Sequence, residues 1–262
     1  METLLIPLYC RALETRKEAP IIVDTKAVEL MKQVEYDFST IKINSGTYLT
    51  TCMRAKRFDY YATHFLAQHP GGIIISLGSG LDSRFDRVDN GSVTWYDLDF
   101  PEVIDLRKKF YKESDRYHLV PSPVTALEWI NCITHKGNPV LVIAEGLFMY
   151  LKEVDVKRLI LTLRESFPHS TLVFDCFSEL TARRIKNHPS IKKMKAQVHW
   201  GLDDPHVIET WHKGITFQEE WFFTQSEDIR KMKLGYRIMF AIAGLFSVAK
   251  KAHRLSKYQL SG

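Results

Sequence analysis

The sequence of 262 residues predicts an α/β fold, in which helices cover both faces of a mostly parallel sheet. First, short apolar runs alternate with helical patterns from Gly72 onward. Second, the Ile-rich run at 73–77 breaks into Gly78 and Gly80, and a further run ends in acidic residues about twenty positions later. Third, the last runs alternate enough to close the sheet. Together these patterns predict a doubly wound, Rossmann-like sheet whose last strand is antiparallel.

The first 70 residues carry helical patterns and no strong strand pattern. Apolar residues recur at helical spacing in 25–33 and in 54–68, where Phe58, Tyr61 and Phe65 fall on one face. We therefore predict a helical preface over 1–70, placed before the first strand of a single domain that spans 1–262. A dinucleotide-binding dehydrogenase often opens directly on its first strand, so the preface is a point of difference from that class.

Five apolar runs predict the parallel strands. The fourth run, VLVIAEG after Pro139, is apolar for five residues, as expected of a strand that is covered on both faces. Helical spacing over 153–167 follows it, and Pro168 ends that helix. The predicted strands are 73–77, 93–98, 117–120, 140–146 and 171–177.

The segment 178–214 interrupts the alternation of strands and helices. It is polar and follows the carboxyl end of the fifth strand, the edge at which open α/β sheets bind ligands. We therefore predict that it forms a helical lid or acceptor pocket. Beyond it, 217–224 and 255–260 are predicted closing strands, with a helix around Ile229. The apolar stretch 238–249 is too short to span a bilayer and is predicted to be a buried helix.

Composition and charge exclude several classes of protein. The 36 basic and 31 acidic residues are interspersed and leave a net charge of +5, so we expect no nucleic-acid partner. Residues 1–9 lack the basic leader and cleavage site of a secretory signal. Two small basic clusters are predicted to be solvated helix faces: Arg183, Arg184 and Lys186, and Lys192, Lys193 and Lys195.

The four cysteines are scattered and show no C-x-x-C spacing. They predict neither a zinc site nor a disulfide framework, and they fit a reducing cytosol. We therefore expect a cytoplasmic protein that holds no metal and does not enter the membrane. The sequence carries no readable signal for oligomeric state.

The glycine turn is the first candidate binding element. Gly78 and Gly80 permit close approach of a ligand to the backbone. In the string GSGLDS, Ser83 occupies the third position, where dehydrogenases usually keep Gly or Ala. This substitution disfavours a nicotinamide cofactor without excluding it. A cradle for an adenosyl group fits the turn at least as well as an anion nest does.

Two strand-end acids and one loop acid are the next candidates. Asp97 and Asp99 end the second strand, and we expect only one of them to meet the ligand. Their alternative role is helix capping or simple solvation. Glu145 leaves a buried apolar strand and must find a partner. That partner is either a cationic or polar ligand or a neighbouring Arg or Lys.

Further candidates come from the preface and from the loops after the strands. Arg54 lies on a preface helix, where most arginines only solvate a face. Tyr150 shares the loop of Glu145 and either points at the cleft or belongs to the core. His199, His206 and His212 are candidate catalytic bases by position in the insertion only.

Three ordered strings, LGSGLDSRFDR, WYDLDFPEV and VIAEGLFMYL, resemble the leucine carboxyl methyltransferase family. The bacterial branch, which is similar to polyketide O-methyltransferases of the tetracenomycin type, is the nearer match. The opening TLLIPLYCRALETR and the helix string RAKRFD also look like that branch. The resemblance runs in ordered blocks from Thr3 to Leu151 and more loosely to the end.

The resemblance implies S-adenosylmethionine as the cofactor. It implies that Arg54 pairs with the methionine carboxylate, and that Gly78, with Gly80 in the same turn, lies against the methionine and ribose portion. Asp99 would then hold the ribose hydroxyls, and Glu145 would line the pocket beside the amino group.

One stretch departs from the family pattern. Where the protein phosphatase enzymes of the family carry an Asp-Leu pair near the adenine, this chain has PSPVTALEW, with Pro123-Val124. Recognition of the adenine amino group must then come from Ser122, Thr125 or a backbone carbonyl.

The resemblance predicts an S-adenosylmethionine-dependent O-methyltransferase that acts on a carboxylate or hydroxyl of a small, polyketide-like acceptor. A carboxylate is already ionised at neutral pH and needs no base, whereas a phenol needs a base or a cationic neighbour. Two alternatives stay open from the residues. One is an NAD(P)-dependent oxidoreductase, and the other is a protein that binds S-adenosylmethionine without catalysis.

Overall fold

A computed structural model describes residues 2–187 and 197–262. Its centre is a seven-stranded sheet in the order β3-β2-β1-β4-β5-β7-β6. The strands are β1 Ile73–Leu77, β2 Thr94–Asp99, β3 Tyr117–Pro121, β4 Val140–Ala144, β5 Ser170–Phe177, β6 Ile215–Phe222 and β7 His253–Leu260. All seven predicted strands are present, and their ends differ from the prediction by at most two residues.

The first five strands are parallel, and β7 inserts antiparallel between β5 and β6. The predicted mostly parallel sheet with an antiparallel last strand is therefore confirmed. Since the parallel strands point the same way, the residues that follow each strand meet at one edge. We call this edge, where β1 to β5 end, the carboxyl edge.

Helices cover both faces of the sheet. In the described ranges they are α1 Glu2–Thr15, α2 Thr25–Gln33, α3 Ser45–Gln68, α4 Arg84–Val88, α5 Pro101–Arg107, α6 Glu153–Ser166, α7 Glu179–Asn187, α8 Leu234–Leu245 and α9 Ser247–Lys250. Ile74 packs into a core shared with the preface helices, whereas Ile73 and Ile75 pack into a second core with α6. This two-sided burial explains why the strand runs are apolar throughout.

The preface consists of three helices, of which α1 packs on α2 and α3. Asn44 begins α3 by accepting a 2.8 Å hydrogen bond from the Thr47 amide. In α3, Phe58 is fully buried in the core beneath the sheet. The long helix therefore presents its polar face, which includes Arg54, toward the carboxyl edge.

The structure describes two parts of the insertion, residues 178–187 and residues 197–214. The helix α7 follows β5, and 188–196 lie outside the described residues, and with them His188, Lys192, Lys193 and Lys195. Leu202 donates its amide to the Phe177 carbonyl at 2.8 Å, and the Tyr258 hydroxyl donates to the Pro205 carbonyl at 2.9 Å. The part from Leu202 to Trp211 therefore packs beside β5, β6 and β7.

The expectation that 238–249 form a buried helix is wrong. The stretch forms most of α8 and α9, and among its residues only Phe240 is buried, whereas Leu245 is 81% exposed. The physical reason is position, since α8 packs mainly on the short turns at 223–225 and 227–231 and on α9, and Phe240 alone joins the core. In the described part of the chain no helix is long and apolar enough to cross a bilayer.

Candidate active site

The glycine turn after β1 is tied to the end of β2. The amides of Gly78 and Ser79 donate to the Leu98 carbonyl at 2.8 and 3.1 Å. Gly78 and Gly80 have φ values of +64° and +51°, a region that residues with a Cβ rarely adopt. A Cβ on Gly78 would also lie 3.0 Å from Cδ1 of Leu147. The turn therefore needs glycine for its own conformation, and at the carboxyl edge Gly78 is half-buried while Ser79 and Gly80 are buried.

Asp99 lies directly against this turn. Its Oδ2 accepts a 2.7 Å hydrogen bond from the Gly80 amide, and its Oδ1 accepts one of 2.7 Å from the Phe100 amide. Burial raises the pKa of Asp99, while the two amide hydrogen bonds oppose that shift. A buried carboxylate at the carboxyl edge beside a glycine turn is suited to accept hydrogen bonds from a polar ligand.

Asp97 has a different role, although residues two apart on a strand share a face. Its carboxylate accepts hydrogen bonds from Arg107 and from the Tyr117 hydroxyl, and from the Trp95 indole at 2.9 Å. Arg107 also donates to the Gly80 carbonyl at 2.8 Å. Asp97 therefore supports the turn from within the core, and Asp99 is the acid that faces the edge.

Arg54 joins two carboxylates from different strands. Its Nε donates to Oε1 of Glu145 at 3.0 Å, and its Nη1 donates to Oδ2 of Asp175 at 2.9 Å. Glu145 also accepts from Arg84. Burial lowers the pKa of Arg54, but Asp175 and Glu145 outweigh it and raise the value. The half-buried Glu145 thus finds arginine partners, which is one of the two alternatives that the sequence left open.

These residues belong to a larger guanidinium–carboxylate cluster. Arg84 and Arg87 both bind Asp59 at 2.7 Å, and Arg87 binds Asp24 at 2.7 Å. In the described residues the cluster comprises Arg11, Arg54, Arg84, Arg87, Asp24, Asp59, Asp82, Glu145 and Asp175. Its carboxylates outnumber its guanidinium groups by one. The cluster therefore carries excess negative charge close to the glycine turn.

Asp175 and His253 are site residues that were not predicted from the sequence. Oδ2 of Asp175 lies 2.7 Å from Nε2 of His253, and Oδ1 accepts the Gly146 amide. Burial raises the pKa of Asp175, but Arg54 and His253 outweigh it and hold the value at about 2. The sequence did contain a signal for Asp175, because a carboxylate inside the apolar run TLVFDCF must find a partner. His253 had none, since a single histidine before a strand is ordinary.

Tyr150 and His199 lie on the loops that follow β4 and β5. Tyr150 is 40% exposed, and its pKa is raised, first by burial of the hydroxyl end. His199 is exposed and donates its amide to the Met149 carbonyl at 2.8 Å. It also lines a cleft of about 310 Å³ with α7 residues such as Ala182. Both residues therefore lie near the carboxyl edge.

His206 and His212 do not join the site. His206 is exposed, its Nδ1 lies 2.5 Å from Oε2 of Glu209, and its ring packs on Phe217 in β6. His212 accepts the Gly214 amide at 2.9 Å, next to the start of β6, which lies toward the amino ends of the parallel strands. Their positions in the fold argue against both as bases, because they face away from the glycine turn.

Ser122 lies beside Asp99, and its amide donates to the Asp99 carbonyl at 2.9 Å. Its hydroxyl turns inward to the Pro123 carbonyl at 3.2 Å. The Thr125 carbonyl accepts from Arg158 at 3.0 Å. Of the predicted adenine contacts, Ser122 is therefore the one placed next to the acid of the glycine turn.

One buried hydroxyl at the glycine turn has no hydrogen-bond partner among the described residues. The Ser79 hydroxyl is buried, and no residue in 2–187 or 197–262 is its hydrogen-bond partner. A buried hydroxyl without a partner is costly unless a ligand or water completes it. The glycine turn, the acid Asp99 and this hydroxyl together fit a polar nucleoside ligand.

The fold is shared with solved methyltransferase structures. The chain superposes on a DUF574 family protein from Streptomyces avermitilis with a TM-score of 0.57 and 12% identity, covering 98% of this chain and 96% of that one. It also superposes on the N-methyltransferase NodS from Bradyrhizobium japonicum in complex with S-adenosylhomocysteine, with a TM-score of 0.51, 12% identity, and coverage of 91% and 100%. These likenesses show the fold, a doubly wound α/β sheet of the Rossmann-like type.

The chain belongs to the leucine carboxyl methyltransferase family, whose model matches residues 5–164. It is 34% identical to the tetracenomycin polyketide synthesis O-methyltransferase TcmP of Streptomyces glaucescens, over 98% of this chain and 95% of TcmP. It is 29% identical to the S-adenosyl-L-methionine-dependent methyltransferase dpfgK of Gibberella zeae, over 84% of this chain and 81% of that relative. The protein is an S-adenosylmethionine-dependent methyltransferase, as the resemblance predicted.

Proposed function

We propose that this protein transfers the methyl group of S-adenosylmethionine to an oxygen, carboxylate or hydroxyl, of a small polyketide-like acceptor. The observation that carries the proposal is the meeting of the glycine turn, Asp99 and the Arg54–Glu145 pair at the carboxyl edge. A TcmP-like relative that covers nearly the whole chain supports the class of acceptor.

The cofactor's nucleoside end is assigned to the glycine turn. The positive φ values of Gly78 and Gly80 shape the turn, in which Gly78 is half-buried, and the Asp99 carboxylate accepts from the ribose hydroxyls. The Gly80 amide that now binds Asp99 at 2.7 Å fixes the carboxylate in place for that role. Ser122 borders the same region and is assigned to the adenine side.

The cofactor's methionine end is assigned to Arg54 and Glu145. Arg54 offers a guanidinium for the carboxylate, and Glu145 offers a carboxylate beside the amino group. Both side chains are already held by ion pairs, Arg54 to Asp175 and Glu145 to Arg84. Little ordering is then required when the cofactor binds, and the excess negative charge of the cluster suits a ligand with a sulfonium centre.

The acceptor is assigned to the aromatic side of the carboxyl edge. His253 packs between Phe177 and Phe223 with ring centroids 4.7 and 4.8 Å apart, and Trp221 contacts Phe223 at 5.1 Å. Tyr150 projects from the loop of Glu145 toward the same edge. Such surroundings favour a flat, aromatic acceptor, because aromatic rings stack with one another.

S-adenosylmethionine, when bound, supplies a methyl group activated by a positive sulfonium. The protein's part is to align the acceptor oxygen behind that methyl group and to exclude water. The buried aromatic side chains Phe223 and Trp221 provide a dry wall for this alignment. Cofactor orientation falls to the fixed charges of Arg54 and Glu145.

We also place the protein in the cytosol, with a small molecule and no nucleic acid as partner. All four cysteines, Cys10, Cys52, Cys132 and Cys176, are free thiols, which supports a reducing compartment. The interspersed charges support the absence of a nucleic-acid surface.

Two measurements test the proposed function. Calorimetric titration should give binding heat with S-adenosylhomocysteine and none with NADH, and heat with NADH alone would reassign the protein to the oxidoreductases. Methyl-labelled S-adenosylmethionine should then label members of a panel of aromatic hydroxyl and carboxyl compounds. Tight cofactor binding with no labelled product across aromatic, aliphatic and peptide acceptors would instead support a non-catalytic binding protein.

A further inference from the structure

The helix α8 exposes a continuous row of large apolar side chains. They recur at i, i+4, i+8 and i+11, which places them within about 80° of the helix circumference, and they are Leu234, Ile238, Ile242 and Leu245. All four are more than half exposed. Phe240, the buried residue of α8, lies on the opposite side of the helix and joins the core. One face of α8 therefore docks on the protein, and the other presents apolar surface to solvent.

The row continues past the end of α8. Phe246, between the two helices, and Val248 in α9 are 61% and 64% exposed. We call the four side chains of α8 together with these two the apolar stripe. At roughly 100 Å² for each exposed large side chain, the apolar stripe presents about 600 Å², the upper end of the largest patches on monomeric proteins. A patch of this size indicates a binding surface.

The part of the chain that carries the apolar stripe is strongly basic. Residues 229–262 contain eight Lys and Arg residues and no Asp or Glu, although the whole chain has 36 basic and 31 acidic residues. The rest of the chain is therefore net negative, and the excess positive charge is concentrated in this segment. Such a charge asymmetry indicates an anionic partner.

Four exposed basic side chains surround the apolar stripe. Arg230 and Lys233 precede α8, Arg237 borders Ile238, and Lys251 follows α9. Among the described residues, none of these four has an acidic partner. Long basic side chains can extend past apolar neighbours and place their charges some distance from the helix axis. Apolar side chains bordered by free cations match the chemistry of a bilayer surface, in which acyl chains lie below anionic headgroups.

We propose that α8 and α9 bind the surface of an anionic phospholipid bilayer. The apolar stripe enters the boundary between headgroups and acyl chains, and the four basic side chains contact lipid phosphates. The helices lie along the surface, because in the described ranges no helix is long and apolar enough to cross a bilayer. This surface binding departs from the expectation, drawn from the sequence, that the protein does not enter the membrane. It does not depend on the proposed methyl transfer.

Other occupants of this surface satisfy only one of its two features. A second copy of the chain would cover the apolar stripe, but it would bring the same unpartnered cations, and like charges disfavour an interface. A nucleic acid would neutralise the cations, but it would leave the apolar stripe in water. An anionic bilayer satisfies both the apolar side chains and the cations.

The position of α8 and α9 in the fold places this surface near the proposed cofactor site. β6 ends at Phe222, and β7 begins at His253, which pairs with Phe177, the last residue of β5. The connection between β6 and β7 therefore leaves and rejoins the sheet at the carboxyl edge. A bilayer bound to the apolar stripe would lie on that side of the protein.

The first test is co-sedimentation of the whole protein with lipid vesicles. The protein should sediment with vesicles of phosphatidylcholine that contain about one third phosphatidylglycerol, and it should stay in solution with phosphatidylcholine alone. Binding should fall when the salt is raised from about 0.1 M to about 1 M, because the Debye length shortens from about 10 Å to about 3 Å. Absence of binding to the mixed vesicles, or equal binding to both kinds, would overturn the proposal.

The second test separates the apolar from the charged contribution. Leu245→Glu puts a charge into the apolar stripe and should lower partitioning into the mixed vesicles by roughly tenfold or more. The double variant Lys233→Glu, Arg237→Glu should lower it by roughly twentyfold or more, since each basic residue near an anionic surface contributes about fivefold. All three side chains are exposed, so the fold should tolerate both variants, which circular dichroism checks.

Two matched controls change the net charge by the same amounts elsewhere on the surface. Val154→Glu replaces an apolar residue of α6 that is 68% exposed, and Lys108→Glu, Lys109→Glu reverses two exposed lysines after α5. Both should bind the mixed vesicles as the wild type does. Equal losses in the test and control variants would show that only total charge matters, and they would overturn the assignment to α8 and α9.

Analytical ultracentrifugation without lipid tests the competing occupant. The wild type should sediment as a species whose mass Leu245→Glu does not change. A dimer that Leu245→Glu converts to a monomer would assign the apolar stripe to a second copy of the chain and would overturn the proposal.

Discussion

Single residues at the carboxyl edge divide into those that support the glycine turn and those that we propose to contact the ligand. Asp97 and Arg107 stabilise the turn from inside, whereas Asp99, Arg54 and Glu145 reach the edge. The sequence could not separate Asp97 from Asp99 without the resemblance, because both end the same strand. The contacts separate them, since Asp97 is saturated by core donors.

At this scale we predict the effect of Glu145→Gln. The substitution keeps the shape of the side chain but removes the negative charge assigned to the cofactor's amino group. A charge-assisted hydrogen bond contributes about 1.5–3 kcal/mol, so affinity for S-adenosylhomocysteine should fall roughly ten- to a hundredfold. Calorimetry measures this affinity. The control is Glu128→Gln, because Glu128 is an exposed carboxylate. Equal affinities of the two variants would remove Glu145 from the site.

Asp175 and His253 could not be predicted as a pair from the sequence. Asp175 and His253 come from strands β5 and β7, which are adjacent only because β7 inserts antiparallel beside β5. No spacing in the chain encodes a pair 78 residues apart. Conversely, His206 and His212 belong to the insertion but lie toward the opposite end of the strands. The reason is that the chain from Leu202 onward runs along β5, β6 and β7 and away from the cleft.

At the scale of elements, burial follows from what each element packs against. Strand runs such as 73–77 were predictable because a strand covered on both faces must be apolar throughout. The apolar run of α8 looked equally buried, yet it packs mainly on short turns and its neighbouring helix, and Phe240 is its buried residue. Composition shows how hydrophobic a helix or strand is, but the fold determines which other elements it packs against.

This contrast gives a stability prediction for two helices. Phe58 in α3 is fully buried, and Phe58→Ala should lower the free energy of unfolding by about 3–5 kcal/mol through the cavity that it leaves. Leu245 in α8 is 81% exposed, so Leu245→Ala should change it by less than about 0.5 kcal/mol. Urea unfolding measures the free energy of unfolding of both variants. A large loss for Leu245→Ala would show that this surface is covered in solution.

At the scale of the whole molecule, the helical preface and the sheet are joined by buried charge. Asp24, between α1 and α2, accepts from Arg11 at 2.8 Å and from Arg87 and the Ser83 hydroxyl at 2.7 Å. Arg11 also reaches the Leu81 carbonyl at 3.1 Å. The preface thus supports the glycine turn, and a chain that lacked it would lose support for the cofactor site that we propose.

We therefore predict that Asp24→Asn weakens both the fold and the cofactor site. Removing one charge from a buried network leaves guanidinium groups unpaired and costs about 3–5 kcal/mol. Urea unfolding should show this loss, and affinity for S-adenosylhomocysteine should fall with it. Asp37→Asn is the matched control, because Asp37 also accepts a backbone amide at a helix start but is exposed. Similar losses in both variants would argue against a bracing role for Asp24.

The central claim is that the glycine turn and Asp99 form an S-adenosylmethionine site, and one titration tests it most directly. The wild type and Asp99→Ala are titrated with S-adenosylhomocysteine by calorimetry, with Asp115→Ala, an exposed carboxylate, as control. Loss of the two ribose contacts should weaken binding about a hundredfold or more in Asp99→Ala alone. Wild-type affinity in Asp99→Ala, with the fold intact by circular dichroism, would contradict the assignment.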